Sequence, residues 1–181
     1  RPGWIEVLPP ATTADFAAAP LSGPAPLAVA FQDASSANVT AWSWNFGDGA
    51  SSSLRDPQHV YTTPGRYTVT LDVTSPTGSA QRLRTDLVEV LVPPPVADFA
   101  LPFASGTAPF LADFVEQSSG AISEWIWDFG DGTSSREREP DHVYAGAGTY
   151  TVTLTVIGSG GADTLAQPDL VVVLAPPPVA A

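Results

Sequence analysis

The chain has 181 residues, 44% hydrophobic and 14% charged, with 19 Pro and 15 Gly, the make-up of a folded protein rich in turns and short strands. Nineteen acidic residues against seven basic ones, all arginine, give a formal net charge of −12, a field that repels phosphate backbones and anionic lipid and excludes nucleic acid as a partner. The lack of Cys excludes a disulfide framework and Cys-based metal sites, and no apolar run is long enough for membrane insertion.

From the first residues a repeat is visible. Ile5-Glu-Val-Leu8 lies 83 residues before Val88-Glu-Val-Leu91 and two such steps before Val171-Val-Val-Leu174, and Pro10, Pro93 and Pro176 keep the same phase. Residues 1–10 therefore read as the last strand of a preceding repeat, residues 11–92 as a first domain, 93–178 as a second, and 179–181 as the start of a following one. By that phase Ile5 to Leu8 has no vacant slot in its own molecule. It is expected either to be disordered or to pair with a neighbouring chain by strand addition. The charge is uneven: residues 1–92 carry 5 Arg and 8 acidic residues, and residues 93–181 carry 2 and 11.

The first domain opens at Ala14-Asp-Phe16, matched by Ala97-Asp-Phe99. A Pro/Gly/Ser connection from Pro20 to Pro26 leads to Leu27-Ala-Val-Ala-Phe31, where Leu27, Val29 and Phe31 share a face as in a half-buried antiparallel strand. Its counterpart, Phe110-Leu-Ala-Asp-Phe114, turns Phe110 and Phe114 inward and Asp113 outward. A polar loop, Gln32 to Thr40, precedes Trp42-Ser-Trp-Asn-Phe-Gly-Asp-Gly49, which recurs as Trp125-Ile-Trp-Asp-Phe-Gly-Asp-Gly132. Alternation puts the aromatics at the first, third and fifth positions on one face, and Gly-Asp-Gly then ends the strand in a tight turn. A Ser-rich segment runs on to Pro57-Gln-His-Val-Tyr61, paired with Pro140-Asp-His-Val-Tyr144. The clearest strands follow, Gly65-Arg-Tyr-Thr-Val-Thr-Leu-Asp-Val73 and Gly148-Thr-Tyr-Thr-Val-Thr-Leu-Thr-Val156, with Tyr, Val and Leu inward. After a Pro/Gly turn the last strands fall near 80–92 and 163–175. About seven strands per unit and no helical period predict an all-β chain of two tandem immunoglobulin-like sandwiches. Trp44, Phe31, Tyr67 and Leu71, with Trp127, Phe114, Tyr150 and Leu154, are the predicted core. Pro93-Pro-Pro95 joins the units, and three prolines predict a stiff spacer and a short rod.

Trp-x-Trp-(Asn/Asp)-Phe-Gly-Asp-Gly, then Pro-x-His-Val-Tyr, then Gly-x-Tyr-Thr-Val-Thr-Leu-x-Val resembles the PKD (polycystic kidney disease) domain, and both units match. The resemblance implies a seven-stranded sandwich found outside the cell, in surface-layer proteins and adhesins and as a non-catalytic accessory module of secreted proteases, collagenases and chitinases. Some collagenase-type members bind calcium near the N-terminal edge of the domain. Calcium therefore enters by resemblance alone, since no alternating Asp/Asn cluster with an EF-hand glycine is present to map its ligands.

The chemistry-bearing residues read mainly as structural. Asp128-Phe-Gly130 resembles a kinase magnesium motif, but no glycine-rich nucleotide loop, lysine or His-Arg-Asp loop accompanies it, and the first unit carries Asn45 there. His59 and His142 occupy one repeat position with no nucleophile context, which favours a structural histidine over a catalytic base. Asp48 and Asp131 read as turn-locking carboxylates rather than metal ligands. Glu124, Asp128 and the Arg136–Asp141 run read as solvated faces with local ion pairing. Trp44 and Trp127 belong to the core, whereas Trp42 and Trp125, at the strand's start, are partly exposed candidates for stacking on sugar rings or a collagen-like ligand. Asn38-Val-Thr40 is an N-glycosylation sequon. No catalytic residue and no metal ligand is predicted.

The reading that follows is a non-catalytic extracellular or cell-surface module, a stiff tandem segment of an adhesive surface protein or fibre. Its partners would be other copies or neighbouring domains of that protein. The alternative is an accessory module of a secreted hydrolase that presents Trp42 or Trp125 to a polysaccharide or fibrous protein.

Overall fold

The computed structural model describes residues 11–36 and 38–178; the expectations for Ile5 to Leu8 lie outside the described residues. The chain divides into two compact units between Val92 and Pro93. The first contains β1 (Phe16–Ala19), β2 (Ser22–Pro24), β3 (Leu27–Asp33), β4 (Ala41–Asn45), β5 (Ser51–Ser52), β6 (Gln58–Tyr61), β7 (Gly65–Ser75) and β8 (Gly78–Leu91). One sheet has the order β1-β3-β6 and the other β2-β8-β7-β4-β5. Every pairing is antiparallel except β2 with β8, where Ser22, Gly23 and Pro24 lie opposite Glu89, Val90 and Leu91 in parallel. Bonds from Glu89 N–H to the Leu21 carbonyl and from Ala25 N–H to the Leu91 carbonyl, both 2.9 Å, extend that ladder.

The second unit contains β9 (Phe99–Ala100), β10 (Ser105–Thr107), β11 (Phe110–Asp113), β12 (Val115–Glu116), β13 (Glu124–Asp128), β14 (Ser134–Ser135), β15 (Asp141–Tyr144), β16 (Gly148–Gly158) and β17 (Gly161–Leu174). Its larger sheet repeats the first unit's order as β10-β17-β16-β13-β14, again with one parallel pairing, β10 on β17. The smaller sheet is split into β12-β9 and β11-β15 because the strand breaks at Phe114. The fold is thus two tandem immunoglobulin-like sandwiches. Its extra strands lie in segments that read as connections: β2 inside the Pro20–Pro26 stretch and β5 in the Ser-rich segment. Pro24 is tolerated because β2 is an edge strand, where a missing N–H breaks no central ladder.

The cores follow the period-two pattern. Leu27, Val29 and Phe31 of β3 face Val69, Leu71 and Val73 of β7, and all are buried with Trp44 and Phe46. Ala112, Phe114, Val152, Leu154, Val156, Trp127 and Phe129 do the same in the second unit. Trp44 is sealed by Phe16, edge-on at 5.1 Å, and by Phe31 at 5.5 Å, and its indole N–H donates to the Leu54 carbonyl at 2.8 Å. Tyr67 and Tyr150 depart from the expected core: they are half-buried. Each stands where β7 or β16 begins, at the open end of the sandwich. Its hydroxyl donates to a carbonyl four residues upstream, Thr63 at 2.6 Å or Gly146 at 3.0 Å, the geometry of a tyrosine corner. Between Tyr67 and Val69 the β7–β8 register shifts, and Asp86 takes a φ of 49°, its N–H held by Thr68 Oγ1 at 3.1 Å. Asp169 and Thr151 repeat this at a φ of 53° and 3.2 Å, a left-handed bulge position that Asp tolerates better than most residues.

Candidate functional site

The most closely repeated constellation joins the Gly-Asp-Gly turn to the strand across the sandwich. The turn follows β4 of the larger sheet, and His59 sits on β6 of the smaller one. Asp48 Oδ1 accepts the Ala50 N–H at 3.0 Å and Oδ2 lies 2.6 Å from His59 Nε2. The imidazole stacks on Phe46, 4.3 Å away and 3° from parallel, and meets Tyr61 edge-on at 4.5 Å. Tyr61 donates to the Phe46 carbonyl at 3.0 Å and its ring touches Tyr67 at 4.5 Å. The second unit has Asp131 Oδ2 to His142 Nε2 at 2.8 Å, Phe129 stacked at 4.0 Å, and Tyr144 to the Phe129 carbonyl at 3.0 Å. There Thr133 replaces Ala50, and both its N–H and its hydroxyl donate to Asp131 Oδ1, at 3.0 and 2.6 Å.

The turn can form only with glycine before the aspartate. Gly47 has a φ of +86° and Gly130 one of +80°, and a Cβ on either would collide with the backbone carbonyl of Thr68 or Thr151. The acidic side chains are shaped by opposing effects. Burial disfavours the charge of Asp48, but the Ala50 amide and His59 outweigh it and hold the carboxyl below its ordinary value. Asp131 is likewise lowered against burial, by the Thr133 hydroxyl, His142 and the Thr133 amide. Desolvation pushes the Tyr61 and Tyr144 phenols well above their ordinary value, with the nearby aspartates adding to it.

A second constellation surrounds the outer tryptophans. Trp42 and Trp125 are half-buried, and the guanidinium of Arg55 or Arg138 lies over the ring, 5.8 or 5.7 Å from its centre. The Nε of each arginine points to a carboxylate that is almost fully enclosed: Asp33 at 3.3 Å, with 3% of its side chain exposed, and Glu116 at 2.9 Å, with 1%. Burial raises both carboxyls, but Ser35 for Asp33 and Ser118 with Arg138 for Glu116 bring them below their ordinary values. The sequence offers a signal for these two acids that residue-type reasoning passed over: Asp33 and Glu116 are one period apart, as are Arg55 and Arg138. The Arg136–Asp141 run is therefore not only a solvated face, because Arg138 reaches across to buried Glu116. Arg136 does pair locally, with Glu124 at 3.3 Å. Beside Trp125 an open recess of about 270 Å³ is lined by Ser123, Glu124, Trp125 and Arg136.

The two constellations bring Asp48 together with His59 and Tyr67, and Asp131 with His142 and Tyr150, but leave Trp42 and Trp125 in the separate arginine-capped cluster. Asn38 is half-buried. Its amide donates to Thr77 Oγ1 at 2.8 Å and to Ser75 Oγ at 3.4 Å, while its carbonyl accepts from Ser36 Oγ at 2.9 Å. Among the described residues no three His, Asp or Glu side chains converge on a point that could hold a metal ion.

A PKD-domain family model matches residues 7–90 and again residues 92–173. The chain belongs to the PKD-domain family. Its tandem PKD units are similar to parts of larger proteins. Collagenase ColA of Bacillus cereus is 42% identical over 58 residues, which cover 32% of this chain and 6% of that protein. The pre-pro-metalloprotease PrtV of Vibrio cholerae serotype O1 is 31% identical over 136 residues, covering 72% of this chain and 14% of that protein. The chain thus spans a small part of either relative's length. Among solved structures, the PKD1 domain of the Vibrio cholerae metalloprotease PrtV is 38% identical and covers 40% of this chain and 90% of that one, with a TM-score of 0.36.

Proposed function

We propose that this tandem PKD segment is a non-catalytic accessory part of a longer extracellular protein, and that it serves as a stiff spacer between that protein's other domains or repeats. One observation carries the reading. In both units the chemistry-bearing groups of the repeated motif are engaged inside the sandwich: histidine with aspartate, aspartate with the turn, the inner Trp and two Tyr with backbone carbonyls. The hydroxyl that lies against His142, Thr133 Oγ1 at 3.5 Å from Nε2, donates to Asp131 Oδ1 at 2.6 Å and so is held as a turn donor, and the first unit has Ala50 at that place. The similarity to segments of a collagenase and a metalloprotease supports an accessory place beside a catalytic domain. The stiffness rests on Pro93-Pro-Pro95. Relaxation measurements on the whole chain test it: the spacer reading expects a Gly-Ser-Gly replacement of those prolines to decouple the tumbling of the two units. Equal coupling in both proteins would overturn it.

The recess beside Trp125 favours a second reading, in which the segment also holds a polysaccharide or fibrous protein. An aromatic wall flanked by a hydroxyl, a carboxylate and a guanidinium is the chemistry that stacks on a sugar ring and bonds its hydroxyls. Retention of the chain on insoluble chitin, cellulose and fibrillar collagen separates the two. Binding lost in Trp125→Ala and kept in Trp42→Ala supports the second reading, and no retention on any of the three leaves the spacer alone.

A further inference from the structure

Asp48-Gly49 and Asp131-Gly132 are the two Asp-Gly pairs in the chain, and there is no Asn-Gly. Among aspartyl dipeptides Asp-Gly is the most open to a self-reaction, because glycine has no Cβ to hinder attack by its own nitrogen on the preceding side chain. In that reaction the Gly nitrogen bonds to the Asp Cγ, and the N–H proton leaves with one carboxyl oxygen and the carboxyl proton as water. The resulting five-membered succinimide is opened by water at either carbonyl. One opening restores Asp; the other leaves the backbone running through Cγ as isoaspartate. No oxidant or co-reactant is needed, and the carboxyl must be free to rotate and protonate.

On the glycine side these turns are unprotected. A Cβ at Gly49 or Gly132 would meet nothing within 4 Å, so each glycine's Cα stands against open space. Side-chain restraint comes from partners of the carboxylate. Asp48 has one oxygen on the Ala50 N–H and the other on His59, and Asp131 has His142 on one oxygen and both Thr133 donors on the other. About a fifth of each aspartate side chain is exposed, 23% and 19%, so burial alone does not shield it.

We infer that Asp48 and Asp131 are latent isoaspartate sites, and that His59 and His142 guard them by pinning the carboxylate away from the succinimide geometry. The two sites are not equally guarded. Thr133 gives Asp131 a hydroxyl donor that Ala50 cannot give Asp48, so ageing starts in the first unit. An isoaspartate at either place lengthens the backbone inside a turn whose preceding glycine has no room to move, and it unfastens the two sheets at that end of the sandwich.

The test is prolonged incubation of the whole chain at neutral pH and physiological temperature. Isoaspartate is read by enzymatic methyl transfer to the isoaspartyl carboxyl and placed by electron-transfer fragmentation. In the unaltered chain it should accumulate faster at Asp48 than at Asp131. His59→Gln should raise it about tenfold at Asp48 only, the factor expected for losing one charge-assisted hydrogen bond. His142→Gln should give a smaller rise at Asp131, restored to the larger one by adding Thr133→Ala. Thr133→Ala alone reproduces the first unit's alanine and is compatible with the fold; it should bring Asp131 to the Asp48 rate. Val69→Ala, which weakens the first unit's buried core without touching the turn, should leave Asp48 at its original rate. Equal accumulation at both sites in the unaltered chain, no rise in His59→Gln, or an equal rise in Val69→Ala would each overturn the inference.

Discussion

Replacing Trp44 by alanine tests the core assignment and the independence of the two units together. The side chain is fully buried, ringed by Phe16 and Phe31, and its N–H holds the Leu54 carbonyl. Truncating a Trp in such a place removes transfer free energy and leaves a cavity, a loss of about 3–5 kcal/mol, with the Leu54 carbonyl deprived of its donor as well. A domain of this size has only about 5–15 kcal/mol to lose, and each kcal/mol lowers its midpoint by roughly 4–8 °C, so the first unit should melt about 12–40 °C earlier. The core around Trp44 contains residues of the first unit alone, and that around Trp127 residues of the second alone. Calorimetry should therefore separate one transition into two, with the upper one unmoved, and Trp44→Phe should fall between alanine and the original. A loss below about 1.5 kcal/mol would refute the cavity argument. Both units melting together at the lower temperature would refute their independence.

Acid should weaken the fold only in a low window. Asp15, Asp33, Asp48, Glu116 and Asp131 all have carboxyls below their ordinary values, so their stabilisation is complete above the unfolded pKa of about 4 and is lost as pH falls through the lower folded values. Denaturant midpoints should hold from neutrality to near that pH and drop below it; a steady decline starting from pH 7 would contradict this. At the alkaline end the sign reverses. Tyr61 and Tyr144 are raised, so their contribution is full below about pH 10 and lost above it. Ultraviolet titration should show Tyr61 and Tyr144 ionising only as the fold opens, and their ionising within the folded chain at the ordinary phenol value would be the contrary result. Gly47→Ala must move the Thr68 backbone as well as adopt a left-handed conformation, and should cost about 2 kcal/mol or more by chemical denaturation. Gly49→Ala, with open space around it, bears only the conformational part and should lose less.

Much of the fold is legible because one property, side-chain alternation, both forms the strand and buries its face. Leu27, Val29 and Phe31, and Trp44 with Phe46, announce their inward face by type and spacing alone. The same rule overreached at Tyr67 and Tyr150, since alternation says which way a side chain points but not how near the end of the sandwich it stands. β2 was illegible for another reason. A Ser-Gly-Pro tripeptide has no strand propensity of its own and is held by the β8 backbone. At the sites, residue types marked Asp48 and His59 individually but not their pairing, which needs two sheets brought face to face. Asp33 and Glu116 were harder still. An isolated acid on a strand reads as solvated until the arginine that covers it is in place, and only their common phase with Arg55 and Arg138 hints at the pair.

The parallel contact of β2 with β8 has a mechanical consequence. The chain enters the first unit ahead of β2 and leaves it beyond the end of β8, and these neighbours run in the same direction. Tension along the chain pulls the two strands past each other lengthwise. It therefore falls on the bonds between Leu21 and Glu89 and between Ala25 and Leu91 together, where an antiparallel hairpin peeled from its open end would surrender them one by one. The second unit is gripped the same way, by Ala104 with Val172 and Ala108 with Leu174. Under stretching each sandwich resists in shear, and the rupture force measured by single-molecule pulling should fall when Ser22–Pro24 is prevented from pairing, even where calorimetric stability barely changes.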